Sequence, residues 1–96
     1  MGALIGALSA SGYKSSEIQS IAEDARLIDL IDIDVKKGGI KGKRIVKFLE
    51  KYLSDTTFSE LNIPLKIVAT NIDTGEKVVF TEGRIVDAVR ASISIP

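Results

Sequence analysis

Serine hydroxyls are the side chains of this sequence that best suit nucleophilic chemistry. The sequence contains no cysteine and no histidine, which excludes disulfides, thiolate metal sites and the Ser-His-Asp and Cys-His pairs within this chain. A serine presented on a sharp strand-to-helix turn needs small neighbours, as in the pattern Gly-x-Ser-x-Gly. That pattern occurs nowhere in the sequence, and Ser9 and Ser11 lack the flanking glycines. We therefore expect no serine of this chain to serve as such a nucleophile.

Three aspartates, Asp29, Asp32 and Asp34, are close enough in sequence to suggest a cation site. A calcium loop that began at Asp32 would have Lys36 at its fifth position and Lys37 where the sharp turn requires glycine. The spacing therefore favours a solvated acidic face, and we predict no metal site.

The basic, glycine-rich stretch 36–44 suggests phosphate binding, because glycine-loop amides attract anions. Only three residues separate Gly38 from the Gly42-Lys43 pair, and Arg44 stands where a P-loop has Ser or Thr. No aromatic residue interleaves the basic ones, as binding of single-stranded nucleic acid would favour. We predict no nucleic-acid partner, and a weak contact with lipid phosphate at a membrane surface stays open.

Three blocks of the sequence together indicate a family. The first is Met1-Gly2-Ala3 and the small-residue run that ends at Gly12-Tyr13, the second is 62–80, and the third is 87–96, which ends in Ala-Ser-Ile-Ser-Ile-Pro. In this order they resemble the patatin-like phospholipases. In that family a Gly-x-Ser-Met-Gly-Ala turn presents the catalytic serine, a central strand and hairpin follow, and a helix leads toward the catalytic aspartate.

The resemblance implies a place in that fold for several residues. Met1 and Gly2 would be the remnant of the nucleophile elbow, with the catalytic serine expected immediately before Met1. Ser92 and Ser94 would lie close to the active site without supplying the nucleophile, while the alternative is that both are helix-end and turn hydroxyls. Gly2 and Gly6 would allow the elbow helix to pack closely on a sheet.

The activity that the resemblance implies is hydrolysis of acyl esters of phospholipids or lysophospholipids by a serine-aspartate dyad, without a cofactor. The family's Asp-Gly or Asp-Ala aspartate lies on a strand and loop, whereas the two Asp-Ala pairs of this sequence, at 24–25 and 87–88, lie in predicted helices and do not match it. The family's Gly-Gly-Gly-x-Arg-Gly oxyanion loop is also absent. We therefore expect the chain by itself to be inactive. The alternative is a non-catalytic homo-oligomeric interaction module derived from that fold.

The composition adds few constraints. The 13 basic and 13 acidic side chains give a net charge of zero, so no overall field draws the protein to nucleic acid or to a membrane. The apolar run 2–8 has no preceding Lys or Arg and is too short to span a bilayer, so we predict neither a signal peptide nor a membrane helix. The lack of cysteine is consistent with the cytoplasm.

Hydrophobic periodicity predicts one α/β unit with few strands over residues 1–96. The resemblance implies that this unit is the middle portion of a patatin-like three-layer α/β/α sandwich. Segment 27–35 fits a helix or a strand equally well. A Ser16–Gln19 capping box is expected to start the second helix. Helices are predicted at 2–11, 43–53 and 85–91, and a further helix is predicted to begin at residue 16. A helical turn is predicted at 57–61, and strands at 65–70 and 77–81. A single hairpin leaves apolar surface uncovered, so we expect an oligomer or the remainder of the domain to cover it.

Overall fold

A computed structural model describes residues 1–34, 43–71 and 73–93, with the side chains of 32–34 left undescribed. These residues form α-helices and an antiparallel hairpin, which confirms the predicted α/β class. The elements, in chain order, are α1 (Gly2–Ala10), α2 (Ser15–Asp34), α3 (Lys43–Leu53), a 3₁₀ turn (Phe58–Glu60), β1 (Ile67–Thr70), β2 (Lys77–Phe80) and α4 (Ile85–Ile93).

Helix α1 ends as the sequence predicts. Gly12 has a φ of +97°, a left-handed conformation that costs glycine least. The Tyr13 amide donates to the Leu8 carbonyl at 3.1 Å, and the Gly12 amide donates to the Ser9 carbonyl at 3.1 Å. These two bonds form a Schellman motif, which satisfies carbonyls that the helix end would otherwise leave unpaired.

Helix α2 begins one residue earlier than predicted, and the Ser16–Gln19 capping box is wrong. Instead, the Glu17 carboxylate accepts a 3.0 Å hydrogen bond from the Lys14 amide, and the Gln19 side chain donates to Glu23. The helix continues to Asp34, so the ambiguous segment is helical through that residue. Within that segment Ile28 packs partly against the core, while Leu27, Leu30 and Ile31 are exposed.

Helix α3 and the 3₁₀ turn agree with the sequence. Ile45, Leu49 and Leu53 of α3 are buried. In the turn, the Glu60 carboxylate accepts hydrogen bonds from the Thr57 amide and hydroxyl, both at 2.9 Å. The bond from the Thr57 amide is the one that the N3 carboxylate makes in a capping box, and the Glu60 amide pairs with the Thr57 side chain in return.

The hairpin pairs Ile67 with Phe80 and Val68 with Val79. Gly75 has a φ of +75° in the turn between the two strands. The mostly apolar run 65–70 predicts a largely buried strand. Ile67 is buried, but Val68 is 47% exposed, so that prediction is wrong for the outer face of β1. The reason is that only the inner face of β1 packs on the core within the part of the chain that the structure describes.

Helix α4 runs two residues beyond the predicted end and packs on β1. Its N-terminus is held by Arg84, whose guanidinium contacts Asp55 at 2.7 Å, Asp87 at 3.2 Å and Glu50 of α3 at 3.3 Å. Between the helices and the hairpin lies one core, whose largest fully buried members are Leu4, Leu8, Leu49, Leu53, Ile67, Ile85, Val86 and Val89. Among the described residues, no helix is long and apolar enough to cross a membrane.

Candidate functional site

The N-terminus of α1 carries Met1 and Gly2, the residues that the family resemblance assigns to the nucleophile elbow, and we call it the elbow end. Met1 is the N-cap residue, and its carbonyl accepts a 3.2 Å hydrogen bond from the Ile5 amide. The Met1 side chain packs partly against the core. Gly2 is exposed, and a Cβ built on it would meet nothing within 4 Å. Packing within the described residues therefore does not require glycine at position 2, and space stays open at this end of the helix.

Gly6 lies where α1 approaches the segment that enters β1. A Cβ built on Gly6 would lie 3.5 Å from the Cδ1 atom of Leu65, which is an ordinary van der Waals separation. The helix therefore approaches Leu65 as the Gly2-x-x-x-Gly6 pattern suggests, although an alanine would also fit at position 6.

Ser92 lies on α4, and its hydroxyl donates a 3.0 Å hydrogen bond to the carbonyl oxygen of Val68. The Asn71 amide donates to the Glu76 carbonyl at 2.7 Å. Main-chain groups alternate in direction along a strand, so the carbonyl of Val68 points away from β2. Ser92 thus satisfies a carbonyl on the edge of β1 that β2 does not cover.

This bond gives Ser92 a structural contact, and its closeness to an active site stays a prediction. Helix α4, which carries Ser92, packs against α1, which carries Met1 and Gly2. Ser94 lies outside the described residues. The two elements that the family resemblance assigns to the active-site region are therefore neighbours in the fold.

An open groove of about 510 Å³ runs between α1 and α2. A short turn joins the end of α1 to the start of α2, so Ser9 and Ser15 lie at the turn end of the groove. Met1 and Arg26 lie at the other end. The apolar lining is formed by Met1, Ile5, Ile18 and Ala22, and the polar lining by Ser9, Ser15, Gln19, Glu23 and Arg26. The groove therefore offers an apolar surface that begins at the elbow end of α1.

Among the residues that the structure describes, two ionisable groups have perturbed pKa values, and both shifts come from structural contacts. The hydrogen bond from the Thr57 amide, assisted by the Thr57 hydroxyl, lowers the pKa of Glu60. Hydrogen bonds to Asp87 and Asp55 raise the pKa of Arg84 further above its ordinary value. Neither group lines the groove between α1 and α2, so these shifts do not mark a catalytic acid or base there.

The structure describes only part of the acidic stretch 29–34 and of the basic stretch 36–44. Asp29 is half-buried on α2, while the side chains of Asp32 and Asp34 lie outside the described residues. The same is true of segment 36–42, so its phosphate-binding hypothesis stays a prediction. Lys43 and Arg44 are exposed at the start of α3.

Lys43 and Arg44 begin a group of cations that belongs to none of the motifs considered above. Lys47 and Lys51 follow Lys43 at intervals of four, so the three share one helix face. All four side chains are exposed. We call Lys43, Arg44, Lys47 and Lys51 the α3 cationic face. Helical spacing applied to charges, as well as to apolar residues, would have found it.

Comparison with known proteins identifies relatives along the whole chain. The patatin-like phospholipase family matches residues 1–96. Uncharacterized NTE family proteins from Mycobacterium bovis and from Mycobacterium tuberculosis strain H37Rv are each 30% identical over 100 residues. The match covers 100% of this chain and 28% of each relative. The chain therefore spans little more than a quarter of the length of these curated relatives.

Proposed function

This chain belongs to the patatin-like phospholipase family, and we propose on that basis that it is part of a serine lipid acyl hydrolase. The substrates would be acyl esters of phospholipids or lysophospholipids, met at a membrane surface. A serine hydroxyl would attack the ester carbonyl, an aspartate would accept its proton, and main-chain amides would stabilise the oxyanion. The family match across residues 1–96 carries this proposal.

Within that enzyme, α1 would be the helix that follows the nucleophile. Its first turn supports this assignment, because Met1 caps the helix and Gly2 has open space around it. A nucleophile that preceded Met1 would lie at the N-terminus of α1, where the helix dipole favours developing negative charge. Met1 and Gly2 would then position the serine and contribute no side-chain chemistry.

The groove between α1 and α2 suits the acyl part of such a substrate. It starts at Met1, its floor is formed by aliphatic side chains, and its volume of about 510 Å³ falls in the range of small-molecule pockets. An acyl chain that entered at the elbow end would lie along Ile5 and Ile18. We propose that these two residues contact the substrate's hydrocarbon.

The 96 residues alone would not catalyse this reaction, because the sequence holds no Gly-x-Ser-x-Gly turn and no Gly-Gly-Gly-x-Arg-Gly loop. A fluorophosphonate probe, which labels activated serines, tests this. The purified chain should stay unlabelled and should hydrolyse 4-nitrophenyl butyrate no faster than an unrelated protein. A longer chain that continues upstream through Gly-x-Ser should be labelled at that serine. Labelling of Ser9, Ser11, Ser92 or Ser94 would overturn the proposal.

A second candidate function is a non-catalytic homo-oligomeric module. The observation that favours it is exposed apolar surface. Val68 and Val79, a cross-strand pair, are 47% and 53% exposed, and Leu27 and Leu30 of α2 are 60% and 55% exposed. Burial of such side chains favours association. Sedimentation velocity distinguishes the candidates, because an obligate oligomer at micromolar concentration would support the module and a stable monomer would contradict it.

A further inference from the structure

We propose that the α3 cationic face binds the surface of an anionic lipid bilayer. The inference rests on the proposed function for its choice of a lipid partner, and it identifies the surface that would contact the membrane. It concerns binding and involves no chemical step.

The geometry of α3 fixes the direction of this face. At 3.6 residues per turn, Lys43, Lys47 and Lys51 form one stripe, and Arg44 lies beside it. The opposite stripe consists of Ile45, Leu49 and Leu53, which are 3%, 0% and 2% exposed. The helix cannot rotate without exposing those three side chains, so the cations must point outward.

Acidic side chains do not neutralise the face within the described residues. Glu50 is the acidic residue of α3, and its carboxylate contacts the Arg84 guanidinium at 3.3 Å. Arg84 also pairs with Asp55 at 2.7 Å and with Asp87 at 3.2 Å. Glu50 lies three residues after Lys47 and thus on the same side of α3. The chain's net charge of zero therefore conceals a local surface on which four positive charges outnumber this one carboxylate, which is paired with Arg84.

The aromatic residues beside the face favour a membrane over nucleic acid. Phe48 and Tyr52 are both half-buried, their ring centroids are 5.1 Å apart, and Tyr52 also packs edge-on against Tyr13 at 6.3 Å. Rings held in this way are not free to stack on bases, as single-strand binding requires. Rings at the border of a basic helix face instead suit the headgroup region of a bilayer.

Lysine and arginine also suit this role because their hydrocarbon stems can lie along an apolar surface while the charges reach the headgroups. The Lys51 Nζ atom lies 5.3 Å from the centroid of the Tyr52 ring. Each cation near an anionic leaflet strengthens binding roughly fivefold, so four together distinguish anionic from neutral membranes by roughly several hundredfold.

The test is flotation of the full 96-residue chain with vesicles of phosphatidylcholine alone and with vesicles that contain about 30% phosphatidylserine. Binding is expected to the second and not to the first. It should fall steeply when the ionic strength rises from about 0.05 M to about 0.5 M. Equal binding to both vesicles would overturn the inference, as would tighter binding to a short single-stranded oligonucleotide.

Variants assign the binding to α3. The double variant Lys43→Gln and Lys47→Gln should weaken vesicle binding roughly 30-fold and should retain the helix, because lysine and glutamine have similar helix propensities. Lys43→Arg with Lys47→Arg should bind like the parent. The matched control, Lys66→Gln with Lys77→Gln, removes two exposed lysines from the hairpin region.

Two results would contradict the assignment to α3. One is equal loss in the control pair and the α3 pair, and the other is unchanged binding by the α3 pair with unchanged circular dichroism. Because neither measurement uses ester hydrolysis, failure of the membrane inference is distinguishable from failure of the proposed enzyme function.

Discussion

The hydroxyl of Ser92 donates a 3.0 Å hydrogen bond to the carbonyl oxygen of Val68, and this bond joins the last turn of α4 to β1. The carbonyl lies on the edge of β1 that faces away from β2. An uncovered strand edge is a template for pairing with another chain. Ser92 therefore both anchors the helix and satisfies one acceptor on that edge.

Ser92→Ala should destabilise the fold through loss of this bond. A typical intramolecular hydrogen bond contributes about 1 kcal/mol, while alanine recovers about 0.5 kcal/mol of helix propensity. The control is Ser20→Ala, at an exposed position of α2, which makes the same propensity change. In urea unfolding, the free energy of unfolding of Ser20→Ala should exceed that of Ser92→Ala by about 1 kcal/mol. Equal shifts in the two variants would mean that the bond contributes nothing.

Tyr13→Phe should destabilise the junction of α1, α2 and α3. The Tyr13 hydroxyl donates a 2.6 Å hydrogen bond to the Tyr52 carbonyl, which is partly buried. The variant should lose about 1 kcal/mol of unfolding free energy, because the carbonyl loses its partner while the ring contact stays.

Tyr52→Phe is the matched control for Tyr13→Phe. It also removes one phenolic hydroxyl but leaves the main-chain acceptor in place, so it should change the stability by less than about 0.5 kcal/mol. A larger loss in Tyr52→Phe than in Tyr13→Phe would contradict the assigned bond. Thermal unfolding of both proteins, followed by circular dichroism, gives the comparison.

The sequence was most predictive where one local signal dominated. The stripe of Ile45, Leu49 and Leu53 has helical spacing and no competing strand pattern, so α3 was predicted correctly. Segment 27–34 mixes aspartates with aliphatic residues and fits both periods. It is helical as the continuation of α2, although Leu27, Leu30 and Ile31 are exposed. Composition alone also could not reveal that Val68 is exposed, because burial depends on which elements cover the sheet.

The candidate site was predictable only in part, and for a different reason. Family resemblance assigned Met1 and Gly2 to the elbow and Ser92 to the active-site region, and the structure adds that α1 and α4 are neighbours. The bond between Ser92 and Val68 joins residues 24 positions apart. Local sequence patterns carry no information on such a contact.

Ser54→Gly should stabilise the protein. Ser54 follows α3 with a φ of +52°, where a side chain costs about 1 kcal/mol and glycine costs little. Glycine also has the larger conformational entropy in the unfolded chain, which opposes the stabilisation. We therefore expect the free energy of unfolding to increase by about 0.5 kcal/mol. The control is Ser11→Gly, at the end of α1 with a φ of −85°, which should destabilise. Destabilisation in both variants would contradict the strain at Ser54.

Glu60 should make folding stability depend on pH in the acidic range. The Thr57 amide, and to a lesser extent the Thr57 hydroxyl, lower the pKa of this carboxylate below its ordinary value of 4.5. Because the unfolded chain binds the proton more tightly, the stabilisation is fully present above the ordinary pKa. It is lost as the pH falls through the lower folded-state value.

Glu60→Gln tests this dependence, since it removes the charge and keeps the size of the side chain. Parent and variant should differ most near neutral pH and converge as the pH falls well below 4, when both side chains are uncharged. Thr57→Val is the companion variant. It keeps the main-chain amide, which is the larger cause of the shift, so it should retain most of the parent's pH dependence. Urea unfolding at a series of pH values gives the free energy of unfolding of all three proteins. If that free energy differed between parent and Glu60→Gln by the same amount at every pH, the Thr57 contacts would not favour the charged carboxylate.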